Sequence, residues 1–168
     1  MIQNVIGCAG VEPIECVNPR KDKWKIRWNI IEKEDGTAEW IEEDFDHKPT
    51  MEEVKSAIIG WYNSQVDNKI VSGFKWNGMP IWLSTENQFN YKAAFDAAVM
   101  SSGQTLPVTF KFGTDEEPTY HTFATIEDLS DFYYKSMKHV QDTLSDGWYA
   151  KDGINFAIYG DLKERDNE

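Results

Sequence analysis

The sequence predicts an α+β fold: three successive ββα units, in which amphipathic helices pack on antiparallel hairpins, behind an irregular N-terminal arm. Three observations predict it. Short segments alternate apolar and polar residues with the period of a half-buried strand. Asp35-Gly36 and Asn77-Gly78 fall between such segments, where a hairpin needs a tight turn. Thr50, Thr85 and Thr125 then stand ahead of helix-period stretches, each followed three residues later by Glu53, Gln88 or Asp128. The first two complete capping boxes and the third is a looser variant.

Residues 1–22 show no clean period, and Gly7, Gly10, Pro13 and Pro19 interrupt them. They read as an irregular arm with at most a short strand near Val5-Ile6, ordered against a partner or flexible. Residues 23–68 form the first unit. Trp24, Ile26, Trp28 and Ile30 alternate with Lys23, Lys25, Arg27 and Asn29. A two-residue turn at Asp35-Gly36 sets Ile30 opposite Ile41, Ile26 opposite Phe45, Arg27 opposite Asp44 and Lys25 opposite Asp46. Trp28 opposite Glu43 is the one awkward pair. Met51, Val54, Ala57, Ile58, Trp61 and Tyr62 then share a helix face, and Asp67-Asn68 ends that helix.

Residues 69–155 carry the second and third units. The turn at Asn77-Gly78 puts Trp76 opposite Met79 and Phe74 opposite Ile81. After Thr85, the stripe Phe89, Ala93, Ala97 and Met100 is widened by Tyr91, Phe95, Ala98 and Val99, which predicts a central helix packed on more than one side. Ser101-Ser102-Gly103 stops it, the glycine supplying a left-handed residue. Leu106–Phe112 and Tyr120–Phe123 form the third hairpin across an acidic connection containing Asp115, Glu116 and Glu117. The last helix runs through Ile126, Leu129, Phe132, Tyr133, Met137, Val140 and Leu144 to a break at Gly147. Residues 156–168 read as a charged tail.

Composition narrows the function classes. A net charge of −12 over 168 residues is the opposite of a nucleic-acid footprint and repels anionic membranes. The basic run Arg20, Lys21, Lys23, Lys25, Arg27 is offset by the facing acids Glu42, Glu43, Asp44 and Asp46, which argues against a nucleic-acid patch. The acids are scattered among bases rather than massed, which argues against mimicry of DNA. Cys8 and Cys16 match no zinc spacing and read as free thiols in a reducing compartment. The N-terminus lacks the pattern of a signal peptide, and no stretch approaches a membrane span. A cytoplasmic protein is the resulting expectation.

Catalytic groups are hard to assemble. His47 lies among acids, His121 alternates with Tyr120 on a strand, and His139 falls off the apolar stripe toward solvent; the three lack ligand spacing. Consecutive Asp115, Glu116 and Glu117 suit a solvated turn rather than a calcium loop. The sequence has no P-loop, dinucleotide fingerprint or nucleophile elbow. No catalytic, cofactor-binding or metal-binding residue is therefore assigned, no cofactor is expected, and the chain is expected not to be an enzyme.

The aromatic content is high, with 7 Trp, 7 Tyr and 9 Phe, and aromatic side chains dominate contact energetics. Trp82 falls on the face of the second hairpin opposite Trp76, together with Lys75 and Pro80. Either a helix or the arm covers it, or it marks an exposed contact site; the general burial of tryptophan favours cover. Trp82, Lys75 and Pro80, with Cys8 and Ile14 of the arm, are the candidate partner-contact residues.

The stretch Gly73-Phe-Lys-Trp-Asn-Gly-Met-Pro-Ile-Trp-Leu-Ser-Thr-Glu-Asn-Gln-Phe-Asn90 also carries a resemblance, as do Leu106-Pro-Val-Thr-Phe-Lys-Phe-Gly113 and Leu144-Ser-Asp-Gly-Trp148 with Lys151. Together they resemble a domain family of unknown function from bacteriophages and prophages, notably of gut bacteria, over roughly residues 69–155. The resemblance implies a small protein encoded near tail genes, with a tail-associated or tail-fibre-assembly role. The partner would then be a tail component or a second copy of the chain, and the location the host cytoplasm or the virion. It implies no catalytic residues and does not extend to the first ββα unit. The alternative expectation is a cytoplasmic regulatory or host-takeover protein that binds through its acidic surface.

Overall fold

A computed structural model describes residues 1–114, 116–160 and 162. The elements are β1 (Gln3–Cys8), β2 (Ile14–Asn18), β3 (Lys23–Glu32), β4 (Thr37–Phe45), α1 (Met51–Ser72), β5 (Phe74–Trp76), β6 (Met79–Ile81), α2 (Thr85–Met100), β7 (Val108–Gly113), β8 (Pro118–Phe123) and α3 (Ile126–Asp152). The fold is α+β, with antiparallel sheets and, among the described residues, three α-helices. The ββα scheme is matched in part. The first hairpin belongs to a larger sheet, and the chain divides into two units, Met1–Tyr62 with Lys151–Glu168 and Asn63–Ala150.

The first unit corrects the reading of an irregular arm. β1 and β2 flank the first hairpin in a four-stranded sheet of order β1-β4-β3-β2. Gly7, which looked like a breaker, is a packing residue. A Cβ there would stand 2.6 Å from Cη2 of Trp40, which lies against it. The hairpin register also differs from the expected one. Asp35-Gly36 sits in a three-residue loop closed by Lys33 N–H donating to Thr37 O at 2.8 Å, with Gly36 at φ 82. A bulge between Trp28 and Ile31, where Asn29 has φ 51, shifts the pairing by one more residue. Trp28 consequently meets Ile41 rather than Glu43, and Arg27 meets Glu42.

The two sheet faces differ in chemistry. One face buries Ile26 and Trp28 against Val54 and Ile58 of α1, with Tyr159 closing the cluster. The Trp28 indole N–H finds no acceptor there among the described residues. Phe156 and Leu162 pack on the same core, so that part of the supposed charged tail is structural. Asp161 and residues 163–168, the rest of that tail, lie outside the described residues, as does Asp115 of the acidic turn. Tyr159 donates its hydroxyl proton to Arg27 O at 2.7 Å, and burial pushes its pKa well up.

The opposite face holds a buried ionic cluster. Arg27 donates to Glu42 Oε2 at 3.3 Å, Glu15 Oε2 at 2.7 Å and Glu12 O at 3.0 Å. Its guanidinium stands 5.9 Å over the Trp40 ring. Glu42 also accepts from Lys25, from Gln3 Nε2 at 2.9 Å and from Trp40 Nε1 at 3.0 Å. Side-chain exposure is 8% for Arg27 and 4% for Glu42. Burial raises the Glu42 pKa, but the hydrogen bonds from Lys25, Trp40 and Gln3 outweigh it and hold the carboxyl at about 2.

α1 starts as its sequence requires. Glu53 N–H donates to Thr50 Oγ1 at 3.3 Å and Thr50 N–H donates to Glu53 Oε2 at 2.9 Å, a reciprocal capping box. That backbone N–H is the main cause of a Glu53 carboxyl held at about 2. The helix does not stop at Asp67-Asn68 but runs on to Ser72.

The second unit is built on rings. The β5–β6 hairpin has the expected register, Phe74 with Ile81 and Trp76 with Met79, around Asn77 (φ 49) and Gly78 (φ 80). Phe110, Phe112 and Phe123 of the β7–β8 hairpin meet Trp76, Tyr91 and Phe132 in one aromatic core. α2 is capped by Ser84, not Thr85: Ser84 Oγ accepts from Asn87 N–H at 3.2 Å. Gln88 reaches back from Nε2 to Leu83 O at 2.7 Å. Gly103, at φ 87, closes α2 by donating its N–H to Ala98 O at 2.8 Å.

α2 does not pack on more than one side. It buries Tyr91 and Ala98 and stacks Phe95 on Tyr133 at 4.5 Å, whereas Phe89 is 70% exposed and Met100 85% exposed. Of the residues expected to widen the stripe, Tyr91, Phe95 and Ala98 enter the core, and Val99 stays exposed.

Gly147 does not end α3. It lies buried mid-helix, where a Cβ would strike Cγ2 of Val66 in α1. Gly147→Ala is therefore expected to destabilise the chain by about 1–3 kcal/mol through overpacking, more than alanine's helix-propensity gain of about 1 kcal/mol. Thermal unfolding checks it, and adding Val66→Ala should restore part of the loss. A Gly147→Ala midpoint at or above that of the wild type would refute the tight contact.

Candidate functional site

Trp82 is held where it is by its neighbours. Ile81 and Leu83 are both buried, 1% and 0% exposed, so the chain between them is anchored at each side. Leu83 N–H donates to Val71 O at 2.8 Å. Asn87 Nδ2 donates to Trp82 O at 2.8 Å, and the Ser84 cap fixes Asn87 in turn. The strand alternation that buries Phe74, Trp76 and Ile81 leaves Lys75 and Pro80 exposed, opposite each other in register. Trp82 is 56% exposed, which corrects the expectation of a covered ring.

The indole lines a groove of about 540 Å³ with Asn87, Lys111, Phe112, Gly113 and Thr114. Phe112 is 3% exposed and gives the groove an apolar floor. Gly113 has φ 80, and a Cβ there would strike Glu117 O, so only glycine fits this turn. The arrangement offers a rigid aromatic plane, an amide and a lysine around a shallow apolar floor. Such a set is suited to stacking and hydrogen bonding. The amide is a near neighbour of Trp82 in sequence, but the lysine and the floor come from residues 111–114, and nothing local to Trp82 announces them.

Other expected contacts are placed differently. Cys8 is exposed at the end of β1, and Cys8 and Cys16 are both free thiols. Ile14 is half-buried on the core of the first unit, opposite Ile26, which leaves little of it for a partner. A smaller cleft of about 380 Å³ has a mixed lining, Ile70, Val71, Leu83 and Val140 with Asp67, Thr85 and Gln88.

The histidines are engaged structurally. His47 Nε2 lies 3.1 Å from both Glu53 oxygens. His121 Nε2 lies 3.3 Å from Asp128 Oδ2, and its ring is edge-on to Trp76 at 4.8 Å. His139 does not face solvent freely: its Nε2–H donates to Lys69 O at 2.9 Å and its ring lies 5.4 Å from Phe74. Among the described residues no group of three or more His, Cys, Asp or Glu could hold a metal ion, and no helix is long and apolar enough to cross a membrane. No family model, curated protein or solved structure matches this chain.

Proposed function

We propose that this chain is a non-enzymatic protein that acts through protein–protein contacts, as a phage or prophage tail-associated structural or tail-fibre-assembly factor. The observation that carries the contact reading is Trp82, half-exposed, anchored between buried residues and set beside a groove with Asn87 and Lys111. A rigid aromatic at the edge of a pocket is the side chain that most often dominates a protein interface. The phage assignment draws on the resemblance of residues 69–155, which hold the second and third of the three successive ββα units that we take as the organising scheme. In that reading the partner is a tail component or the chain itself, and the protein resides in the host cytoplasm or the virion. The net charge of −12 favours a second reading, a cytoplasmic regulatory or host-takeover protein that binds through its acidic surface.

Co-purification of the full chain with the products of neighbouring tail genes tests the first reading. A tail protein should be captured, and Trp82→Ala should weaken that binding about 30-fold or more while leaving the melting temperature within about 1 °C. Capture of a host protein alone would select the second reading. Undiminished binding by Trp82→Ala would remove the groove from either.

A further inference from the structure

We propose that α2 pairs with the α2 helix of a second copy of this chain, antiparallel about a two-fold axis. The inference is independent of the Trp82 groove. At 3.6 residues per turn, Phe89, Ala93 and Met100 fall within about 40° of one another around the helix. This stripe faces away from the side that buries Tyr91 and Ala98. Its end residues are 70% and 85% exposed, and Val99 beside it is 47% exposed. Large apolar ends flank a centre of small alanines, Ala93 and Ala97. Turning such a stripe end for end sets Phe89 of one copy on Met100 of the other and lets the alanines bring the backbones close.

Charge chooses the occupant and the orientation. Lys92 and Asp96 lie on one flank of the stripe, paired at 2.7 Å within the helix. They lie on either side of its centre, one before it and one after it. A two-fold axis across the helices keeps that flank on the same side in both copies. Each Lys92 then stands beside the other copy's Asp96, giving two interchain pairs. A parallel arrangement would carry the flanks to opposite sides and form neither. Glu86, at the N-terminal end of the stripe, falls near Gly103 of the other copy, past the end of α2, where it stays solvated. On a chain of net charge −12, a surface that is self-complementary in sign is where a second copy meets least repulsion.

Sedimentation of the full chain over a range of concentrations tests this. The wild type should pass from monomer to dimer, and Phe89→Glu should weaken the association at least tenfold with an unchanged circular-dichroism spectrum. Lys92→Glu and Asp96→Lys should each weaken self-association, because each puts like charges across the axis. An equimolar mixture of those two variants should recover the dimer, since every cross-axis pair is then again of opposite sign. A wild type that remains monomeric throughout, a dimer indifferent to Phe89→Glu, or a mixture no stronger than its components would each overturn the proposal.

Discussion

Replacing Arg27 with alanine is expected to destabilise the chain by about 3–5 kcal/mol, measured by urea unfolding. The guanidinium is 8% exposed and Glu42 beside it 4% exposed, so removing the cation leaves a buried carboxylate without one of its donors. It also removes the donor to Glu12 O and the partner of Glu15. Replacing both charges together, Arg27→Met with Glu42→Leu, should cost less than the single change, because no buried charge then lacks a partner. The cluster has a pH signature. Glu42 titrates at about 2 in the fold, against an ordinary 4.5. A depressed carboxyl contributes stability that is present above the ordinary value and lost as pH falls through the folded one. The contribution is about 3 kcal/mol, and it should disappear between roughly pH 4.5 and 2. An Arg27→Ala protein within about 1 kcal/mol of the wild type would show the cluster to be energetically idle.

The second large effect is expected at Phe132. Its ring is fully buried and lies within 6.5 Å of six others, those of Phe74, Trp76, Tyr91, Phe110, Phe112 and Phe123. Those rings come from both hairpins and from α2, so Phe132 joins these elements to α3. Phe132→Ala should cost about 3–5 kcal/mol, the lost transfer energy plus the cavity left by partial relaxation. Phe132→Leu keeps most of the volume and should cost about 1–1.5 kcal/mol. Equal losses for the two, read from denaturant midpoints, would mean that ring geometry rather than volume is what the site requires. The same burial pushes the Tyr91 hydroxyl up to about 12.

The parts of this fold legible in the sequence are those written locally. The Asn77-Gly78 turn demands two left-handed residues in succession, and few dipeptides supply them. The Thr50 and Glu53 box needs only three residues to satisfy itself. The first hairpin was less legible, because its register depends on a left-handed Asn29 that no side-chain alternation reveals. β1 was legible only as a short strand near Val5-Ile6, and its extent and its place in the sheet were hidden for a different reason. Gly7 resembles a strand breaker until Trp40, 33 residues away, is seen lying against it. α2 has two faces of similar apolarity, and composition cannot say which one the core takes. The groove beside Trp82 brings Trp82 and Asn87 together with residues 111–114, a pairing set by packing between hairpins rather than by any pattern within either.

The hydroxyl bond from Tyr159 to Arg27 O has a consequence for the timing of synthesis. The first unit begins with Met1, yet its last core residues arrive only after all of Asn63–Ala150 has been translated. At ordinary elongation rates the ribosome takes roughly 5–20 s to go from Tyr62 to Tyr159. Through that interval the sheet formed by residues 3–45 has residues of α1 against its apolar face but lacks the ring of Tyr159 that closes it. The 88-residue second unit, emerging whole before Lys151, can finish first. The half of the molecule nearest the N-terminus is therefore the last to receive all of its core residues.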